Sequence, residues 1–180
     1  FGMRVLFHDV AAKLPLGNAQ AVAALETLLT ESDFVTLHVP QTPQTKNLIG
    51  ITQLAAMKKG ACLINASRGT VVDIEALADA IRREHLHGAA VDVFPDEPES
   101  SDTKGFKTGL QGLHNVILTP HIGGSTLEAQ ENIGREVAAS LVRYAELGTT
   151  TSAVNFPQCE LGPTPGTWRL RPPEAGRSLS

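Results

Sequence analysis

Short β-branched apolar runs alternate with helix-periodic stretches along most of this chain, and that alternation leaves few folds open. The runs are RVLF (4–7), FVTLHV (34–39), ACLIN (61–65), GAAVDV (88–93) and NVILT (115–119). Each is nearly continuous in apolar residues, the pattern of strands covered on both faces. Helical spacing fills most of the gaps. From Asn18, read as a cap, Val22, Leu25, Leu28 and Leu29 mark one face. A short helix is predicted over 52–58, stopping at Gly60. Ile74, Leu77, Ala78 and Ile81 follow Thr70, with Asp73 completing a Thr-x-x-Asp start. The longest stretch opens at Ser125 with Glu128 three residues on. It carries Ala129, Ile133, Val137, Leu141 and Tyr144 on one stripe and ends at Gly148. Such a stripe usually belongs to a core, although it can also serve a subunit interface. Strands separated by helices require crossover connections. The fold class is therefore α/β, a mostly parallel sheet with helices on both faces.

Composition excludes several functions. The 180 residues are 42% hydrophobic and 19% charged, which is ordinary globular composition rather than disorder. A net charge of −4 gives no basic footprint for nucleic acid. No apolar run approaches the ~18 residues of a membrane span. The start FGMRVLFHDV lacks the layout of a secretion signal. Cys62 and Cys159 match neither a zinc spacing nor a disulfide framework, so a reducing, cytoplasmic setting and no metal are expected. The chain opens on Phe1 with Met3 inside a strand, so it reads as a fragment with an upstream beginning. From Pro157 onward come five of the 11 prolines without apolar period, and this end reads as disordered or atypical.

In open parallel sheets, ligands bind outside the carboxyl ends of the strands. The residues there are His8-Asp9, His38-Val39-Pro40, Ala66-Ser67-Arg68-Gly69, Asp92 to Pro98, and Thr119 to Gly124. Asp9 closes a strand, where an acid can accept from ribose hydroxyls and repel a 2′-phosphate, although a turn aspartate would look the same. The glycine loop that should precede it by ~20 residues has no match, because no two glycines are separated by a single residue. Arg68, in NASRGT, can clamp a carboxylate with two parallel hydrogen bonds, or serve merely as a surface ion-pair partner. His121, in TPHIGGST, is of the type suited to take a hydroxyl proton at neutral pH. A carboxylate on its far ring nitrogen would orient it. Asp96, Glu97 and Glu99 all qualify on residue type. His85 and His87 straddle a helix end and His114 reads as loop. No G-x-S-x-G occurs, which removes one serine-nucleophile reading.

Six segments resemble the D-isomer-specific 2-hydroxyacid dehydrogenases: KLPLGNA, SDFVTLHVP, LINASRGTVVDIEAL, GAAVDVFPDEP, LTPHIGGSTLEAQENIG and SAVNFP. They run in that family's order over about the first 157 residues. The resemblance implies a Rossmann-like doubly wound sheet lacking its first strand, with a helix returning to a substrate domain. It divides the chain into a partial NAD-binding domain (1–124), the C-terminal part of a substrate domain (125–157) and the atypical tail (158–180). It makes Arg68 the substrate-binding arginine, His121 the acid/base and Glu97, over Asp96 and Glu99, its partner. Asp9 becomes the ribose acid, and Asp92 faces the nicotinamide end. His38, Val39 and Pro40 line the adenine pocket, and Ala66 and Gly123 border the nicotinamide. Ser67, Arg68, His121 and Gly124 join this cofactor-lining set.

The implied cofactor is NAD and the implied reaction is oxidation of 3-phosphoglycerate to 3-phosphohydroxypyruvate, the first committed step to serine. A homo-oligomer is implied for the full-length protein, with neither nucleic acid nor membrane as partner. Other readings stay open: another member of the family, such as a glyoxylate or hydroxypyruvate reductase, a non-catalytic NAD-binding module, or an inactive truncated product. In the strand order 3-2-1-4-5-6 the first strand is central. Its absence should leave the strands at 4–7 and 61–65 with unpaired edges. By itself the 180-residue chain is therefore expected to be poorly stable and nearly inactive.

Overall fold

The computed structural model describes residues 2–11, 13–98, 105–153, 157, 159 and 160. The chain divides into two compact units, Phe1–His121 and Ile122–Ser180. In the first unit the elements are β1 (Val5–Phe7), β2 (Ala19–Ala21), α1 (Leu25–Glu31), β3 (Phe34–Leu37), α2 (Ile51–Ala56), β4 (Cys62–Asn65), α3 (Ile74–Arg82), β5 (Gly88–Val91) and β6 (Val116–Leu118). Strands β3-β4-β5-β6 form one parallel sheet in that order, and β1 pairs with β2 in a second parallel pair. The expected α/β class and all five expected strands are present.

The register decides what reaches the rim. Leu37, Asn65, Val91 and Leu118 form one row across the larger sheet. The residues that follow them, His38, Ala66, Asp92 and Thr119, therefore emerge side by side at the carboxyl edge. One face of the sheet is core. It presents Val35, Leu37, Leu63, Ala89 and Val91 to Leu29 of α1, Leu54 of α2, and Leu77, Ala78 and Ile81 of α3, all buried. Full burial of each large aliphatic side chain contributes roughly 1.5–3 kcal/mol. On the opposite face Phe34 and Ile117 are 64% and 65% exposed. The apolar runs thus look two-sided in sequence, yet among the described residues helices cover one side.

Several local expectations shift. Asn18 does not cap a helix. Its side chain donates to the Met3 carbonyl, and residues 19–21 pair with β1, Val5 opposite Ala19. Strand pairing overrides the helical preference of Ala and Gln there, so α1 starts only at Leu25. Helix α2 ends at Ala56, before Gly60. Helix α3 is capped by Asp73, not Thr70. A bridge between Ile49 and Val72 holds the chain extended up to Asp73, after a 3-10 turn at Gly69–Val71. Asp73 accepts from the Ala76 N–H at 3.0 Å. Asp73→Ala should therefore cost the full-length protein about 1 kcal/mol, read as a lower urea midpoint.

The free edges match expectation only in part. Among the described residues β1 is paired on one side only, as expected for the run at 4–7, whereas β4 is paired on both sides and the larger sheet ends at β3 and β6. The run at 34–39, not the one at 61–65, occupies the flank because sequential strands lie side by side here.

The second unit is built on α4 (Leu127–Leu147). Ser125 is used in a turn to the Ile122 carbonyl, so Thr126 caps the helix instead, accepting from Ala129 N–H at 3.1 Å. Gly148 ends it at φ 68°, a left-handed conformation that glycine adopts without steric cost. The stripe of Ile133, Val137, Leu141 and Tyr144 is exposed rather than core. No helix among the described residues is long and apolar enough to cross a membrane. The expected tail at 158–180 lies outside the described residues except for Cys159 and Glu160.

Candidate active site

The loops after β4, β5 and β6 carry Arg68, Glu97 and His121. His121 lies beyond Thr119-Pro120 and holds φ 51°, a left-handed conformation that is uncommon outside glycine. Asp92 secures it. Its Oδ1 accepts from the His121 backbone N–H at 3.1 Å and also from the Thr119 hydroxyl. Strain of ~1–3 kcal/mol at such a residue persists only when its surroundings hold it.

The imidazole meets Glu97. Nδ1 lies 2.8 Å from Glu97 Oε2, and Glu97 Oε1 accepts from the Phe94 backbone N–H at 2.9 Å. Both carboxylate oxygens are thus engaged, which fixes the group in orientation as well as position. With side chains 42% and 36% exposed, the pair adds little to stability. Its consequence is tautomeric. With Nδ1 facing the carboxylate, Nε2 is the ring nitrogen left to exchange a proton, and Nε2 has no partner among the described residues. Asp96 makes no such contact among the described residues, and Glu99 lies outside them.

Arg68 stands on the turn after β4. Its Nη1 donates to the Ser67 carbonyl at 2.6 Å. It has no ion-pair partner among the described residues, so the rest of the guanidinium fork is free for an anion. Gly69 follows directly, and a Cβ there would lie 2.0 Å from the Phe94 carbonyl carbon. The arginine turn is thus seated backbone to backbone on the loop that carries Glu97.

The other candidates are more dispersed. Asp9 Oδ1 accepts from Ala11 N–H at 2.8 Å, the turn role foreseen for it, and Oδ2 has no partner among the described residues. His38 Nε2 lies 3.1 Å from the Thr36 hydroxyl, and Pro40 accepts from the Thr45 hydroxyl through its carbonyl. Val39 packs against the core, Ala66 is exposed, and Ser67 is buried. Gly123 and Gly124 belong to the second unit, which opens at Ile122. His85 bonds the Leu54 carbonyl through Nε2. Sequence reasoning placed Thr119 at the rim without a role and missed Asn65. Asn65 did carry a signal, because an amide stands there on the same strand face as Leu63, where alternation calls for an apolar residue.

A family model described as the D-isomer specific 2-hydroxyacid dehydrogenase, NAD binding domain, matches residues 1–123, and the chain belongs to that family. Over 169 residues it is 57% identical to a D-3-phosphoglycerate dehydrogenase of Haemophilus influenzae, covering 94% of this chain and 41% of that protein. The chain thus spans about two fifths of the length of that curated relative. Among solved structures, the NAD-complexed D-isomer specific 2-hydroxyacid dehydrogenase of Lactobacillus delbrueckii matches with TM-score 0.71 and 32% identity, over 86% of this chain and 49% of that one. The D-lactate dehydrogenase of Aquifex aeolicus, complexed with NAD and lactic acid, matches with TM-score 0.67 and 36% identity, over 79% and 46%.

Proposed function

We propose that this chain forms part of an NAD-dependent dehydrogenase that oxidises 3-phosphoglycerate to 3-phosphohydroxypyruvate in serine biosynthesis. The observation that carries the chemistry is the 2.8 Å pairing of His121 Nδ1 with a twice-anchored Glu97, which leaves Nε2 open. The likeness to D-3-phosphoglycerate dehydrogenases supports the choice of substrate.

The residues present fit the two ends of the dinucleotide. Asp9 keeps one carboxylate oxygen for ribose hydroxyls, and the exposed, small Ala66 leaves room at the rim. His38, Val39 and Pro40 would line the adenine side, and Asp92 and Ser67 the nicotinamide side. The 180 residues contain no G-x-G, so a pyrophosphate cradle of that type is not among them. When bound, NAD supplies the acceptor for the hydride that leaves C2. His121 Nε2 takes the C2 hydroxyl proton as the C–O bond becomes a carbonyl. Glu97 holds the ring and stabilises the imidazolium that results. Arg68 grips the substrate carboxylate and the developing carbonyl oxygen. On this reading residues 1–124 contribute to the NAD-binding domain and 125–157 to the substrate domain.

The test is NADH formation by the full-length protein from 3-phosphoglycerate, D-lactate and glycolate. We expect kcat/KM for the phosphorylated substrate to be higher by about 100-fold or more. Equal or better turnover of an unphosphorylated acid would reassign the substrate within the family. NADH binding without turnover of any of them would favour a non-catalytic module.

A further inference from the structure

Asn65 ends β4 fully buried, and its side chain turns back on the loop that follows. Oδ1 accepts from the Ser67 backbone N–H at 3.1 Å and from the Ser67 hydroxyl at 2.9 Å. Nδ2 donates to the Arg68 carbonyl at 3.2 Å, and the same carbonyl accepts from Val71 N–H. The main-chain carbonyl of Asn65 accepts from Asp92 N–H at 2.9 Å. One residue therefore ties the arginine turn to the strand that leads to Asp92. A buried amide with internal partners gives only a modest net gain, and an apolar pair of the same shape can be nearly neutral, so stability alone does not account for it. What the three side-chain bonds do is fix the backbone at 66–68.

We propose that Asn65 is a positioning residue for Arg68: its amide sets the turn from which the guanidinium is presented at the carboxyl edge of the sheet. The proposal rests on the reading of Arg68 as the substrate's carboxylate clamp. A hydrophobic residue here would continue the strand's apolar face but leave the Ser67 N–H and hydroxyl without their partner, releasing the turn.

The decisive variant is Asn65→Asp in the full-length protein. It keeps the shape and both acceptor bonds, and it sets an oxygen against the Arg68 carbonyl in place of the donor. We expect kcat/KM for the 2-hydroxy acid to fall about 10- to 100-fold, chiefly through KM, with NADH affinity by fluorescence titration within about threefold. In an Arg68→Ala background the same change should cost no more than about threefold further, because its route of action is gone. An equal factor in both backgrounds, or an unchanged KM, overturns the proposal. If Arg68→Ala alone leaves kcat/KM unaltered, the clamp reading fails and this one with it; loss in Arg68→Ala with additive behaviour sinks only the role of Asn65. Should Asn65→Asp not fold, Ser67→Ala removes a single hydroxyl bond and should raise KM about threefold. No rise in KM there also overturns it.

Discussion

Replacing His121 by asparagine in the full-length protein should lower kcat by about 100- to 10,000-fold, the range that a positioned general base contributes. NADH affinity, followed by fluorescence titration, should stay within about twofold, because the loss falls on the chemical step. Asparagine suits this position better than alanine. The residue holds φ 51°, and asparagine is among the few side chains that tolerate that region. The backbone N–H bond to Asp92 Oδ1 can therefore survive, and the Asp92–Thr119 contact with it. What is removed is the imidazole, and with it the proton acceptor and the ring's contact with Glu97. Turnover close to the parent's would eliminate His121 as the base. Loss of NADH affinity in parallel with turnover would indicate a collapsed loop rather than a missing base.

Gly69→Ala should be strongly destabilising, by about 3 kcal/mol. The methyl would sit 2.0 Å from the Phe94 carbonyl carbon and 2.1 Å from its oxygen, with the Pro95 nitrogen at 2.5 Å. These are main-chain atoms, so no rotamer change relieves the overlap. Either the arginine turn or the Glu97 loop must move. We expect a lower urea midpoint, a reduced yield of folded protein, and a raised KM in whatever folds. An unfolding free energy within about 0.5 kcal/mol of the parent's, the usual range for surface changes, would mean that the two backbones are not in contact.

The sheet could be read from the chain because its signals are local. Nearly continuous apolar runs at 34–39, 61–65 and 88–93 fit a parallel sheet best. The rim could be read too, since chain direction alone sends Arg68, Glu97 and His121 to one edge. What escaped was set by non-local pairing. Residues 19–21 have helical propensity and become strand because β1 lies beside them. Thr70 has the look of a cap, but the Ile49–Val72 bridge delays the helix to Asp73. The stripe on α4 has core periodicity, and periodicity does not say what will cover it. Residue type alone could not choose among the three acids of the proline-fenced loop. The pairing of Glu97 with His121 depends on where Phe94 N–H points, which no spacing rule reports.

The close seating of Gly69 on Phe94 bears on any attempt to retarget such an enzyme by grafting. A chimera that imports a foreign segment for 94–98 while keeping 66–69 would combine surfaces shaped for different neighbours. The two segments are better transplanted as a unit, with Asn65 retained as the donor scaffold's anchor.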